Sequence, residues 1–337
     1  MDTAQRKNRV LGSIVELYIR TGEPVGSKAV SDRLNGVCST ATIRNDMCEL
    51  IERGLLIQPH TSAGRVPSAG GFRYYIDHLM PTYVLDDATK YQINRFLPTF
   101  KGDPERYIIE IAKSIAKVTG CTAFVTTPTD ENATLKHLEL LPMSDTAVLI
   151  AILTSGGIMK SKICRMDTRI TEQELEYFTT VLNERFSALQ LAHITPAMSQ
   201  TLAISLGVHT LKFAPLLQMV FDAIEEAVRP TLHVEGQANL LLYKEFSPVS
   251  VIELFARRDS LIELIQQTRH QRVYLGHELG DNALQQASLI VNEYQLGNHL
   301  KGKMAILGPL KADYYRMIPV LSYIAEQTHK NISTYIY

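Results

Sequence analysis

Three apolar-periodic segments, each closed by a glycine, fill residues 4–54 and strongly restrict what the N-terminal part of the chain can build. In AQRKNRVLGSIVELYIR (4–20), Val10, Ile14, Leu17 and Tyr18 recur at helical spacing with Leu11 at the edge, and Thr21-Gly22 stops the run. After an extended Glu23-Pro24-Val25, Ser27 is placed to cap a second helix that reaches about Leu34 and ends at Asn35-Gly36. A third helix begins near Ser39-Thr40, turns Ile43, Met47, Leu50 and Ile51 inward, and ends at Gly54. Two short strands follow, Leu55–Gln58 and Arg65–Pro67, joined by a turn over Pro59–Gly64. Helix, helix, helix, hairpin is the order of a helix-turn-helix with a wing.

Gly70-Gly71 and FRYYIDHLM (72–80) predict a connecting helix that Pro81 ends. Residues 90–120 are mostly helical in pattern, and CTAFVTTP (121–128) opens a β-rich stretch. It continues through LKHLELLPM (135–143), TAVLIAILT (146–154) and GIMKSKICRMD (157–167). Helices are expected over 171–186, about 195–206 and 214–229, the first with a capping box of Thr171 and Glu174. Beyond Pro230 the pattern predicts one helical run in VIELFARRDSLIELIQQ (251–267). Strands RVYLGHE (272–278), ASLIVNEYQLG (287–297) and KMAILGP (303–309) precede a helix over about 313–328.

A chain of 337 residues is too long for one ordinary core, so two or three domains are expected. Hydrophobic content of 45% with 20% charged residues describes a folded chain. The net charge of −1 argues against coating of nucleic acid by bulk electrostatics but leaves room for a local docking surface. Residues 1–80 carry ten Lys/Arg against eight Asp/Glu, a net of +2. The cysteines Cys38, Cys48, Cys121 and Cys164 form no CxxC pair, which argues for a reduced chain without a metal site. MDTAQRKNRV lacks the apolar stretch of a signal peptide, and TAVLIAILT is too short to span a bilayer, so a cytoplasmic protein is expected.

Catalytic constellations are missing: the chain contains no HExxH, GxSxG, GxxxxGK[ST] or GxGxxG, and its ten histidines stand singly. His277-Glu278 is an acid/base pair in composition, but on the expected strand the two side chains face opposite sides. No enzyme, cofactor or metal is therefore expected. The stripe Phe213, Leu216, Leu217, Val220 and Ile224 fits a core or a subunit contact better than a ligand cradle.

On the third helix, with Ile43, Met47 and Leu50 inward, Thr42, Asn45, Glu49 and Glu52 point outward and Arg44 and Cys48 lie on an adjoining strip. Ser39, Thr40, Thr42, Arg44 and Asn45 thus crowd the helix start with groups that hydrogen-bond phosphates and base edges; Arg can fork onto guanine and Asn onto adenine. Glu49 and Glu52 would be repelled by phosphates, so the C-terminal half should tilt away. The wing offers His60, Thr61, Ser62 and Arg65, the last as its charge, around a small Ser-Ala-Gly tip. Ser27 and Lys28 of the second helix are expected at phosphates.

The stretches GEPVGSKAVSDRL (22–34), STATIRNDMCELIERG (39–54) and PHTSAGRVPSAGGFRYYIDHLM (59–80) resemble the heat-inducible transcription repressor family HrcA, as do VYLGHE (273–278) and LGPLKADY (307–314). The likeness covers almost the whole chain, with ATIRNDM and PHTSAGR the most specific blocks. Departures are Lys311-Ala312 where Arg-Met is usual and Ser68-Ala69 where Thr-Asp is common; the first puts any contact of that C-terminal turn in question. The resemblance implies an α+β architecture: a winged helix-turn-helix (1–88), a GAF-like antiparallel-sheet domain (89–130 and 231–337), and an inserted dimerising domain (131–230). It further implies repression of chaperone operons through an inverted-repeat operator, release on heating, and a chaperonin partner that keeps the repressor active. Within the insert, Leu216, Met219, Val220 and Ala223 are the expected homodimer contacts. The alternative is a winged-helix regulator whose GAF-like domain senses a small molecule.

Overall fold

The computed structural model describes residues 2–60, 63–130, 132–187, 189–198, 202, 210–268, 272–296 and 300–336. Helix α1 (Thr3–Thr21) buries Val10, Leu11, Ile14, Val15 and Leu17. It stops at Gly22, whose φ of 69° lets its N–H reach Tyr18 O at 2.8 Å. Helices α2 (Ser27–Arg33) and α3 (Thr40–Glu52) pack on it and on each other. Strands β1 (Leu56–Ile57) and β2 (Val66–Pro67) form an antiparallel hairpin. A reciprocal pair of backbone bonds between Val25 and Arg65, both 2.9 Å, ties its base to the α1–α2 connection. Two glycines permit these approaches. A Cβ on Gly64 would stand 2.5 Å from the Val25 carbonyl carbon, and one on Gly71 only 2.0 Å from Leu55 O. Helix α4 (Ala69–Tyr74) leaves the hairpin and passes directly into a π-helical turn, Tyr75–Leu79.

Next come α5 (Asp87–Asn94) and α6 (Pro104–Thr119). The latter is capped by Asp103, started by Pro104 and closed by Gly120 in the left-handed region. Strand β3 (Thr122–Thr126) then enters a sheet that it shares with strands from the far end of the chain: β7 (Leu232–Glu235), β8 (Val273–Leu275), β9 (Ala287–Leu296) and β10 (Leu300–Pro309). The order is β7-β3-β10-β9-β8 and every pairing is antiparallel. One face, with Val125, Met304, Ile306 and Ile290, joins α6, the C-terminal helix α11 (Tyr314–Ile336) and the first three helices in a single core. The opposite face, with Phe124, Ala305, Leu307 and Leu289, is covered by α9 (Pro248–Ala256) and α10 (Arg258–Gln267).

Between β3 and β7 the chain builds a separate unit. Strands β4 (Leu135–Ser144), β5 (Ala147–Thr154) and β6 (Met159–Arg165) form an antiparallel meander. Helices α7 (Glu172–Phe186) and α8 (Thr210–Val228) pack on it, α7 on β4 and α8 on β5 and β6. The expected Thr171/Glu174 capping box is present, and Glu174 also accepts from Lys212 Nζ at 2.6 Å. That pairing, with the Thr171 bonds, lowers the Glu174 carboxyl from its ordinary 4.5 to about 2. The mixed composition and antiparallel sheets make this an α+β protein, as its sequence predicts.

Several expectations are corrected. The run 251–267 is two helices, because Arg257 adopts φ −95° and ψ 59° and bends the chain over the sheet. The expected strand 272–278 ends at Leu275 and becomes a 3-10 turn over Gly276–Leu279. Of the helix expected over 195–206, the described residues give a 3-10 turn at Pro196–Met198 and a helical Leu202; residues 199–201 and 203–206 lie outside the described set. The largest correction concerns α8. Leu216, Val220 and Ala223 are each 0% exposed, packed within this chain's own core with Leu138, Ile150, Ile152 and Phe178, and Met219 is half-buried against the same cluster. They are internal packing, and three of the four leave no surface for a second subunit.

Candidate nucleic-acid interface

Ser39 caps α3: its Oγ accepts the Thr42 N–H at 3.1 Å and lies 2.9 Å from Thr42 Oγ1. The expected reader residue Ser39 is therefore engaged in fixing the helix start, and Thr42 is half-buried beside it. Thr40, Arg44 and Asn45 are exposed, while Ile43, Met47 and Leu50 are sealed in the core as the wheel predicts. Arg44 Nε donates to Ser27 Oγ at 3.2 Å, so the first residue of α2 and the expected reading strip of α3 meet, with exposed Lys28 alongside.

The acidic residues of α3 prove less disruptive than their number implies. Asp46 is 1% exposed and forked by Arg6, whose Nε and Nη2 donate at 2.8 and 2.9 Å. Those hydrogen bonds hold the Arg6 guanidinium above its ordinary value. Glu49 is paired with Lys7 of α1. Two carboxylates that would oppose a polyanion are thus neutralised from α1, leaving exposed Glu52 at the far end. Asp46, Arg6 and Lys7 were not singled out from the sequence. The signal was there, however, in adjacent basic residues at the start of one helix and acids three apart on another.

The hairpin expected as a wing is described less completely. His60 is exposed and its carbonyl accepts the Ala63 N–H at 2.9 Å; Thr61 and Ser62 lie outside the described residues. Arg65 differs from the expected projecting charge. It is half-buried at the hairpin's base, its Nη1 donates to Ala63 O at 3.0 Å, and its buried Nε has no hydrogen-bond partner among the described residues. Its guanidinium holds the turn in shape.

His277 and Glu278 sit on the 3-10 turn, where Glu278 accepts from the Leu275 N–H at 2.8 Å and pairs with Arg73 at 2.6 Å. Glu278 is thus structural, though not for the strand geometry expected, while His277 is exposed. Among the described residues no group of three His, Cys, Asp or Glu side chains is placed to hold a metal ion, and no helix is long and apolar enough to cross a membrane.

A family profile described as HrcA protein C terminal domain matches residues 105–318. Heat-inducible transcription repressors HrcA are similar over nearly the full length. That of Acetivibrio thermocellus is 28% identical, covering 98% of this chain and 97% of its own. That of Shouchella clausii is 30% identical and covers 98% of both. A hypothetical protein of known crystal structure superposes with a TM-score of 0.59 at 25% identity, over 98% of each chain.

Proposed function

The chain belongs to the HrcA family of heat-inducible transcription repressors, not to a family of enzymes, and we propose that it represses by binding an inverted-repeat operator as a homodimer. In this reading residues 1–88 are a winged helix-turn-helix, 89–130 with 231–337 a GAF-like body, and 131–230 an inserted dimerising domain; the protein works in the cytoplasm. The observation that carries it is the start of α3. Thr40, Arg44 and Asn45 are open to solvent while Asp46 and Glu49 are tied to Arg6 and Lys7. Arg44 and Asn45 would read base edges, each good bidentate contact giving about 1–3 kcal/mol of discrimination. Thr42, Ser27, Lys28 and the wing residues His60, Thr61 and Ser62 would position the module on phosphates. Arg65 would act through the shape of the wing.

One module of low net charge binds weakly, so affinity depends on linking two. With α8 committed to its own core, the dimer contact falls to the other side of the meander. There Leu141, Leu149 and Ile163 lie in one row across the three strands, with Met143 two residues on from Leu141, while Met159 pairs with Leu153 two rows away. Leu141, Met143 and Ile163 are 43–59% exposed, an apolar patch that a two-fold axis can pair with its own copy. Heat release follows if marginal stability lets small thermal shifts deplete folded repressor, with a chaperonin restoring it.

Sensing of a small molecule has less support. In the cleft of about 560 Å³ between α1 and α11, three polar lining groups are engaged with one another: Glu16 pairs with Arg33 and accepts from Tyr75 OH at 3.4 Å.

The test is a mobility shift on an inverted-repeat duplex from upstream of a chaperonin operon, beside a scrambled duplex, with and without added chaperonin. Selective retention of the repeat, increased by chaperonin after mild heating, is expected. Equal retention of both duplexes refutes the DNA assignment, and indifference to chaperonin refutes the partner.

A further inference from the structure

The motifs VYLGHE (273–278) and LGPLKADY (307–314) have no part in the proposed reading strip. Both instead meet the N-terminal module. Arg73, the penultimate residue of α4, forks onto Glu278 with Nε–Oε1 at 3.1 Å and Nη2–Oε2 at 2.6 Å, across 205 residues of sequence. The same Nη2 donates to Val273 O at 2.6 Å, and Glu278 Oε2 is fixed from behind by the Leu275 N–H at 2.8 Å. Side-chain exposures of 19% and 24% place this fork in a largely desolvated seam, where a planar bidentate pair holds orientation as well as distance.

The second motif closes the other side of the seam. Tyr314, wholly buried, meets Phe72 edge-on at 6.0 Å, and Phe72 in turn contacts Tyr18 of α1 at 6.2 Å. Lys311 Nζ pairs with Glu245 at 2.8 Å and lies so near Gly22 that a Cβ there would be 3.3 Å from it. A cation therefore stands at the C-terminal end of α1, where the helix carries partial negative charge. Two residues after Arg73 the helix changes to π geometry over Tyr75–Leu79, a rare form that concentrates at functional positions. The segment leaving the reader is thus irregular where it is clamped hardest.

We propose that these two motifs are the seat of the reader module, and that Arg73 and Glu278 are positioning residues. By fixing each module on its body they set the distance between the two readers of a dimer, and so the operator spacing that is accepted. Neither residue touches DNA. The inference rests on the two-reader assignment above, and one of its two tests is independent of DNA.

In the first test, spin labels are placed on Cys48, the one cysteine of four that is exposed, and on a cysteine introduced at exposed Lys301. The distance distribution within a protomer is expected to be narrow in the parent chain and at least twice as broad in Arg73→Gln and Glu278→Gln, with Arg73→Lys between them. An unchanged distribution overturns the seat. In the second, affinities are measured for a single half-site and for inverted repeats with spacers altered by one to five base pairs. The Gln variants should keep half-site affinity within twofold, lose about tenfold on the preferred spacer, and level the preference among spacers. Equal losses on half-site and full site, with the label distances still narrow, overturn the positioning role. If the parent chain shows no preference for any repeat, the operator reading fails instead, and the label distances still decide whether the seat exists.

Discussion

Helices α3 and α8 are both amphipathic, and the rest of the chain treats them in opposite ways. α3 seals Ile43, Met47 and Leu50 against the other N-terminal helices and leaves Thr40, Arg44 and Asn45 facing water. α8 buries Phe213, Leu216, Val220 and Ile224 beneath a sheet of its own insert, so its most conspicuous stripe is used internally. An apolar stripe states that something covers it, and the covering surface depends on partners distant in sequence. A polar strip beside a sealed stripe is more informative, because the core has already satisfied the helix and those groups still face water.

The sharpest way to break this contrast is Val220→Asp. A carboxylate at a wholly buried site with no partner should cost about 4 kcal/mol and unfold the insert, read by urea denaturation followed by circular dichroism. A folded monomer would restore α8 as the subunit contact. Ile163→Lys is the complementary change, on the uncovered sheet face. It should leave the unfolding midpoint unchanged while raising the dimer dissociation constant about a hundredfold, roughly 3 kcal/mol, in sedimentation. An unaltered dimer would move the contact elsewhere. On the α3 side, Ser39→Ala removes the cap and should lower stability by about 1 kcal/mol, together with a loss of operator affinity. Affinity that survives intact would show that the helix start need not be preorganised.

The smallest effect concerns the α7–α8 contact. Because the Glu174 carboxyl is held at about 2 against an ordinary 4.5, its stabilisation is fully present above about pH 4.5 and lost as pH falls toward 2. For a partly exposed pair that amounts to about 1 kcal/mol or less. The parent chain and Glu174→Gln should therefore differ in stability at pH 6 and converge near pH 2. A difference independent of pH would assign the effect to packing.

Local rules made the N-terminal helices legible: glycine stops at Gly22 and Gly54, a serine cap at Ser39, and inward residues at helical spacing. The Thr171/Glu174 box was equally readable, since capping depends on residues three apart. Long-range partners were not. Nothing near Arg65 announces that its guanidinium will fold onto Ala63 O, and the matched charges of α1 and α3 do not by themselves say that Arg6 will meet Asp46. The bend at Arg257 was hidden for a related reason: Val251, Leu254, Leu261 and Ile265 suit one straight helix, and the surface of the sheet imposes the break. Lys303 is the extreme case. A lysine in a strand pattern suggests a solvent-facing position, yet its Nζ is buried and donates to Ile265, Gln266 and Thr268 carbonyls at 2.6–3.1 Å, closing the end of α10.

The central claim, that the start of α3 reads base edges, is tested most directly by titrating the parent chain and Arg44→Ala against every single base-pair substitution of one operator half. The parent should discriminate by about 1–3 kcal/mol at the base pair Arg44 meets, and the variant should lose discrimination there while keeping it elsewhere. Identical profiles for the two proteins would contradict the claim.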